Sequence, residues 1–188
     1  MEKRKKASSR KATTQYGNLH ELLILKLQSL YDIEQELIKA LPKMATNAHN
    51  EQLREAFESH LEETRIHSDR LEQAMEYLEV EPKKEKVAGI RGIAEDGSWV
   101  IKNVKDERAR DAALIAAAQY AEHYEIAGYG SAAEWARLMG HTEVADLLET
   151  TLAEEEEANN KLTSLAEGGI NEEANDMEEE REGVFNIL

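Results

Sequence analysis

Residues 60–67 read HLEETRIH, and they interrupt an otherwise regular amphipathic stretch. Taking every third and fourth residue gives Leu53, Phe57, His60, Thr64, His67, Leu71, Ala74 and Leu78. This core-facing stripe turns polar for two turns and then apolar again, with Glu63 flanking the same face. Three other stretches carry the same interruption. Glu34 is the one charged member of the stripe Leu23, Leu27, Leu30, Leu37, Leu41, Met44. Glu125 sits among Leu114, Ala118, Ala121, Gly128, Ala132 and Trp135, with Glu122 three residues earlier. Glu155 sits among Val144, Leu148, Thr151, Ala158, Leu162 and Leu165, with Glu154 beside it.

A weak internal repeat relates these positions. Adding 91 to the residue number carries Glu34 onto Glu125, Leu61 onto Leu152, Glu63 onto Glu154 and Leu71 onto Leu162. The repeat predicts a carboxylate at one height on each of four helices. A single glutamate on a helical stripe is ordinarily a solvated boundary residue. Four facing one another would repel and lose hydration unless protonated or neutralised. A pair of divalent cations removes both costs. Carboxylates and imidazoles at i, i+3 on facing helices, as in His60–Glu63 and Glu122–Glu125, form the ligand set of di-iron and di-manganese bundles. The candidate ligands are therefore Glu34, His60, Glu63, Glu122, Glu125 and one or both of Glu154 and Glu155, between which the pattern does not choose. Glu63 and Glu154 (or Glu155) are candidate bridges. His67 is a lesser ligand candidate, with a supporting or solvent-facing place as the alternative. His20, His49 and His141 fall at helix ends and turns, where surface positions are expected. His123 points off the site face, with a supporting hydrogen bond as its candidate role. Asp32 and Glu36 lie off the stripe and are expected to be solvated. Tyr31 and Tyr124 lie within a turn of the ligands, where packing is the expected role. Gly128 and Gly130 are expected to permit close helix approach.

The elements that must hold these groups are legible from caps and breakers. Asn18, with Glu21 three residues on, opens a first helix that reaches about residue 46, with Pro42 expected to kink or weaken it. Asn50 caps a second helix of roughly 51–79. Residues 80–106 form a long crossover with a short helix possible around 86–95. Asp106 caps a third long helix to about 139, ended by Gly140. A fourth runs from Thr142 to about 167, where Gly168 and Gly169 stop it. Short, long and short connections predict an all-α, up-down four-helix bundle with one long crossover between its second and third long helices. The expected organisation is a disordered basic arm at 1–17, the bundle at 18–167, and an acidic tail at 168–188 with a hydrophobic end.

Composition sets the outer limits. The 188 residues include only 2 Pro, and no Cys, so disulfides, thiolate sites and cysteine nucleophiles are excluded. A formal net charge of −16 argues against nucleic acid as a partner. No signal peptide and no apolar membrane span are apparent, so a cytoplasmic location is expected. The hydrophobic end VFNIL, residues 184–188, suggests a docking segment.

The blocks LYDIEQELIKALPKM, HLEET, AAQYAEHYEIAGYG and TLAEEEEANNKL occur in this order. Together they closely resemble the YciE/YciF group of ferritin-like bacterial stress proteins over about residues 19–167. The resemblance implies a ferritin-like bundle, a homodimer and a di-iron ferroxidase-type centre. Carried over, the ligands are Glu34, His60, Glu63, Glu122, Glu125 and a glutamate of the 154–155 pair. The chain departs from the broader ferritin-like pattern of Glu-x-x-His on the second and fourth helices. Position 66 is Ile, and the fourth helix holds no histidine. One metal is therefore expected to bind more weakly, or through carboxylates alone. The expected function is oxidation of Fe(II) by oxygen or peroxide, with two irons (or manganese) as cofactor, in iron handling or stress protection. The alternatives are a metal-poor structural or interaction bundle and a manganese-type catalase.

Overall fold

The structure, a computed structural model, describes residues 16–176. The basic arm expected at 1–17 and the docking segment at 184–188 lie outside the described residues, apart from residues 16 and 17. Helix α1 runs Leu19–Asn47, α2 Glu51–Tyr77, α3 Ala88–Asn103, α4 Glu107–Leu138 and α5 Thr142–Leu165. No strand occurs among the described residues.

The caps are those the residue types dictate. Asn18 accepts from the Glu21 amide at 2.9 Å, and Glu21 reaches back to the Gly17 amide at 2.7 Å. Asn50 accepts from the Leu53 amide, and Asp106 from those of Arg108 and Ala109. Gly140 ends α4 with φ of 81°, which a side chain would resist. Pro42 does not end α1: the helix continues to Asn47 although Pro42 offers no amide to the turn before it.

The helices α1 and α2 form one hairpin, and α4 and α5 the other. The first lies on the second through α1 against α4 and α2 against α5, so the four close a ring. Leu23, Leu27 and Leu30 of α1, Leu53 and Leu71 of α2, Leu114 of α4 and Leu148 of α5 fill its axis above and below the polar level. Close approach of α1 to α4 depends on Gly128, where a Cβ would stand 2.8 Å from Cδ2 of Leu30. Gly130 has no such role, since a Cβ there would meet only Leu152 at 3.8 Å.

The crossover is more ordered than its Gly content suggests. Its helix is 16 residues long and lies across α1 and α4. It is tied down by Asp32, which is 2% exposed rather than solvated. Asp32 accepts from the Val87 amide at 3.3 Å and from Arg91 at 2.9 Å. Asp32 lies off the stripe facing α2, a position that by periodicity alone predicts solvent. That face is covered by α3 instead. A second buried acid, Asp111 of α4, takes the amides of His49 and Asn50 at 2.8 and 2.6 Å and pins the α1–α2 turn. Gly168 and Gly169 bend the chain rather than end it. A π-type turn spans Ala166–Ile170 with Gly169 at φ 140°, Ile170 is buried in the core, and helix resumes over 171–176.

Candidate metal centre

Halfway along the ring axis the leucine layers give way to polar residues. Glu34 from α1, His60 and His67 from α2, Glu122 and Glu125 from α4 and Glu155 from α5 are all buried, none more than 7% exposed. His67 Nδ1 lies 2.9 Å from Glu155 Oε1 and 3.9 Å from Glu34 Oε1. His60 Nε2 lies 3.4 Å from Glu122 Oε1 and 3.7 Å from Glu155 Oε2. Two sets of donors result, Glu34–His67–Glu155 and His60–Glu122–Glu155, each with its ligand atoms within 4.8 Å of one another. Glu155 belongs to both.

These atoms approach one another without bonding. Among the described residues, the buried side-chain atoms with no hydrogen-bond partner are Glu34 Oε2, His60 Nε2, His67 Nδ1, Glu122 Oε2 and both oxygens of Glu125 and Glu155. The 2.9 Å approach of His67 to Glu155 is not aligned as a hydrogen bond. Buried polar groups are almost always satisfied, and each one left bare costs about 1–3 kcal/mol. Every orphan in the described chain thus points into one chamber.

The outward nitrogens are satisfied. Glu63 lies 3.4 Å from His60 Nδ1, and Glu154 lies 2.9 Å from His67 Nε2. Each imidazole is therefore held by a peripheral carboxylate on one nitrogen while the other faces inward, an arrangement that orients metal-binding histidines. Glu154 is itself clamped by Arg70, with Nη2 at 3.0 Å from Oε1 and Nη1 also bonded to it. The hydroxyl of Tyr129 donates to Glu34 Oε1 and leaves Oε2 free.

Burial and crowding govern ionisation here. Burial, reinforced by Glu155, pushes Glu34 up to about 8. Burial also lifts Glu122 to about 8 although His60 opposes it. Glu125 is held well above the usual carboxylate range by burial and by Glu155, Glu34 and Glu122. Burial alone would depress His60, but Glu122, Glu63 and Glu155 outweigh it and raise it to about 9. His67 is raised by Glu155, Glu34 and Glu154 against the same burial effect. The bond from Arg70 lowers Glu154, and the bond from His60 lowers Glu63. Without a cation the chamber retains protons on its acids; with cations it would not need them.

The structure brings together Glu34, His60, Glu122, Glu125 and Glu155 of the candidate residues, and with them the lesser candidate His67. The solvent-facing alternative for His67 is corrected: it is 0% exposed, because seven residues after His60 returns to the same face. Glu63 is at the rim, with its side chain 45% exposed. The repeat explains the choice between Glu154 and Glu155. Its offset pairs Glu63 with Glu154, and both are peripheral. The inner positions are one residue on, where α2 has Thr64 and α5 has Glu155, both buried. Tyr129 and Arg70 were not singled out from sequence. Tyr129 could have been found, since it lies one turn after Glu125 on the same face. Tyr31 donates instead to Glu72, and Tyr124 covers Gly89. His123 is exposed.

Two cavities of about 150 Å³ reach the chamber. One opens between α2 and α5 beside His60, Glu63, Glu122, Glu154 and Lys161. The other lies beneath α3, between α1 and α4, and is mainly apolar.

Comparison with known proteins agrees with this architecture. Protein YciF of Escherichia coli strain K12 is 40% identical over 157 residues, covering 83% of this chain and 95% of that protein. The crystal structure of the E. coli stress protein YciF superposes with a TM-score of 0.80 at 39% identity, over 83% of this chain and 99% of that one. YcfI from Rhodopseudomonas palustris gives 0.77 at 38% identity, covering 79% and 94%. A protein from Xanthomonas campestris pv. campestris gives 0.69 at 26%, covering 86% and 99%. No helix among the described residues is long and apolar enough to cross a membrane. Residues 18–175 match the family described as a domain of unknown function, DUF892, and the chain belongs to that family, as a ferritin-like helical bundle similar to a bacterial stress protein.

Proposed function

We propose that the chamber holds two divalent metal ions, iron by preference, and that the protein oxidises Fe(II) with oxygen or peroxide. The observation that carries this reading is the convergence of every partnerless buried donor atom on one site. Glu155 would be shared by both ions, with Glu34 and His67 on one side and His60 and Glu122 on the other. Glu125, buried with both oxygens free and within the field of Glu155, Glu34 and Glu122, is a further donor beside them. A donor set of carboxylates and two imidazoles suits Fe(II) or Mn(II) and lacks the soft sulfur that would select copper. Two Fe(II) ions would supply two electrons, reducing dioxygen and two protons to hydrogen peroxide, or peroxide and two protons to two waters, and leaving two Fe(III).

The chain's own contribution is positional and electrostatic. Glu63 and Glu154 aim the inner imidazole nitrogens. Tyr129 fixes one oxygen of Glu34. The leucine layers above and below exclude bulk water. Glu34, Glu122 and Glu125 surrender protons as cations enter, so uptake is coupled to proton release.

The full chain purified without chelator is expected to take up two iron ions, with binding lost in Glu34→Gln and Glu125→Gln. A folded protein that takes up no Fe(II) overturns the reading. The second reading is a metal-poor structural bundle, favoured by the absence of any nitrogen donor from α5. It predicts that outcome. Peroxide disproportionation with Mn(II), without net iron oxidation, would indicate a manganese-type catalase instead. A homodimer and a cytoplasmic location belong to the same reading. Gel filtration with light scattering tests the first.

A further inference from the structure

Two cavities meet at His60 and Glu122 from different sides of the bundle, and their chemistry differs. The α2–α5 cavity sets four carboxylates and Lys161 among apolar residues such as Phe57 and Leu162, and is polar enough to suit ions, water and peroxide. The cavity beneath α3 is walled by Leu37, Leu41, Ile93, Ile101 and Ala118, with the Glu36–Lys39 ion pair at its rim. At about 150 Å³ it matches the size of apolar cavities that stay dry and admit xenon or benzene. The charged side chains stand at its two ends, Glu36, Lys39 and Lys43 at one and His60 and Glu122 at the other, so a charged species would lose hydration in crossing the apolar stretch between them. A small apolar molecule loses no hydrogen bond on entering.

We propose that the apolar cavity beneath α3 binds dioxygen and delivers it to the His60–Glu122 side of the chamber. This rests on the oxidase reading above. The crossover helix then has a purpose beyond linking the hairpins, since it supplies the cavity's outer wall. Gly97 marks the position. It is buried on α3, yet a Cβ built there meets nothing within 4 Å. A glycine in mid-helix is unfavourable, and here its missing side chain leaves open space instead of permitting close packing.

The test uses the full chain and xenon as an apolar probe. Metal-free protein is expected to bind xenon beside His60 and Glu122, seen by xenon NMR titration or in a pressurised crystal. Gly97→Leu should abolish that binding, and Gly97→Ala should weaken it while its helix is if anything strengthened. With iron supplied, Gly97→Leu should raise the KM for dioxygen about tenfold or more, leaving Fe(II) affinity and the peroxide-driven rate unchanged. Absence of xenon binding in the parent chain overturns the proposal. So does an unchanged KM for dioxygen in both variants while iron oxidation persists. Iron oxidation by neither oxidant overturns the oxidase reading and the delivery role together, and the xenon result tells these failures apart.

Discussion

With no metal in the chamber the protein should become less stable as pH rises, and the size of the effect follows from its buried groups. Glu34 and Glu122 titrate near 8 in the folded chain against 4.5 ordinarily. A folded acid with a raised pKa binds its proton more tightly than the unfolded chain does. Its cost to stability therefore grows as pH rises from about 4.5 to about 8. His60, raised from 6.5 to about 9, stabilises fully below 6.5, and that contribution is lost as pH rises through 9. All three act in the same direction between pH 6 and 8. Acting independently they would remove about 6 kcal/mol. They share one another's fields, so about half, roughly 3 kcal/mol, is the working figure. For a body of this size that is a fall in Tm of about 6–12 °C. Thermal melts by circular dichroism in chelator, at constant ionic strength, read it directly. The double variant Glu34→Gln/Glu122→Gln should lose at least half the slope, which separates the chamber from the general effect of a −16 net charge. Metal-loaded protein should not show the fall, because its ligands are ionised already. A metal-free Tm that stays level or rises from pH 6 to 8 would mean that these groups do not hold their protons in the folded chain.

Glu155→Gln should remove binding of both proposed ions, whereas Glu154→Gln, which loosens the support of the outer nitrogen of His67 and the clamp from Arg70, should weaken one ion about 10–100-fold; isothermal titration with Fe(II) or Mn(II) under anoxia distinguishes them. Asp111→Ala leaves two amides of the α1–α2 turn without their carboxylate, and should cost about 2–4 kcal/mol in urea unfolding at unchanged m. Asp32→Ala severs the tie from α1 to Val87 and Arg91, so hydrogen exchange should quicken across α3 and leave the amides of α2 and α5 protected.

Much of this molecule is decided locally. The side-chain caps at Asn18, Asn50 and Asp106 and the Gly140 stop depend on residues a few positions apart, and the helix bounds follow from them within a residue or two. The stripes follow equally, because the 3.6-residue period assigns each position to a face before any neighbour exists. That period was enough to find Glu34, Glu125, His60 and Glu122 at one height. The same reasoning undervalued His67, although its seven-residue spacing from His60 already placed it inward.

Other choices needed the assembled fold. Glu154 and Glu155 are adjacent, differ by about 100° around α5, and are chemically the same residue. Only the rotation of α5 against α2, set by how the Leu148 and Leu162 layers pack, turns Glu155 inward and leaves Glu154 to Arg70 and His67. Asp32 looked like a surface acid because its burial depends on α3, a segment 56 or more residues later in the chain that covers its face. Asp111 capping a turn more than 60 residues away, and Tyr129 reaching Glu34 across 95 residues, are likewise contacts between helices that no local spacing encodes. By itself the sequence determined which faces are polar, because periodicity is a property of one helix. The tertiary structure decided which polar atoms meet and which are left without partners, because that depends on how helices are rotated against one another.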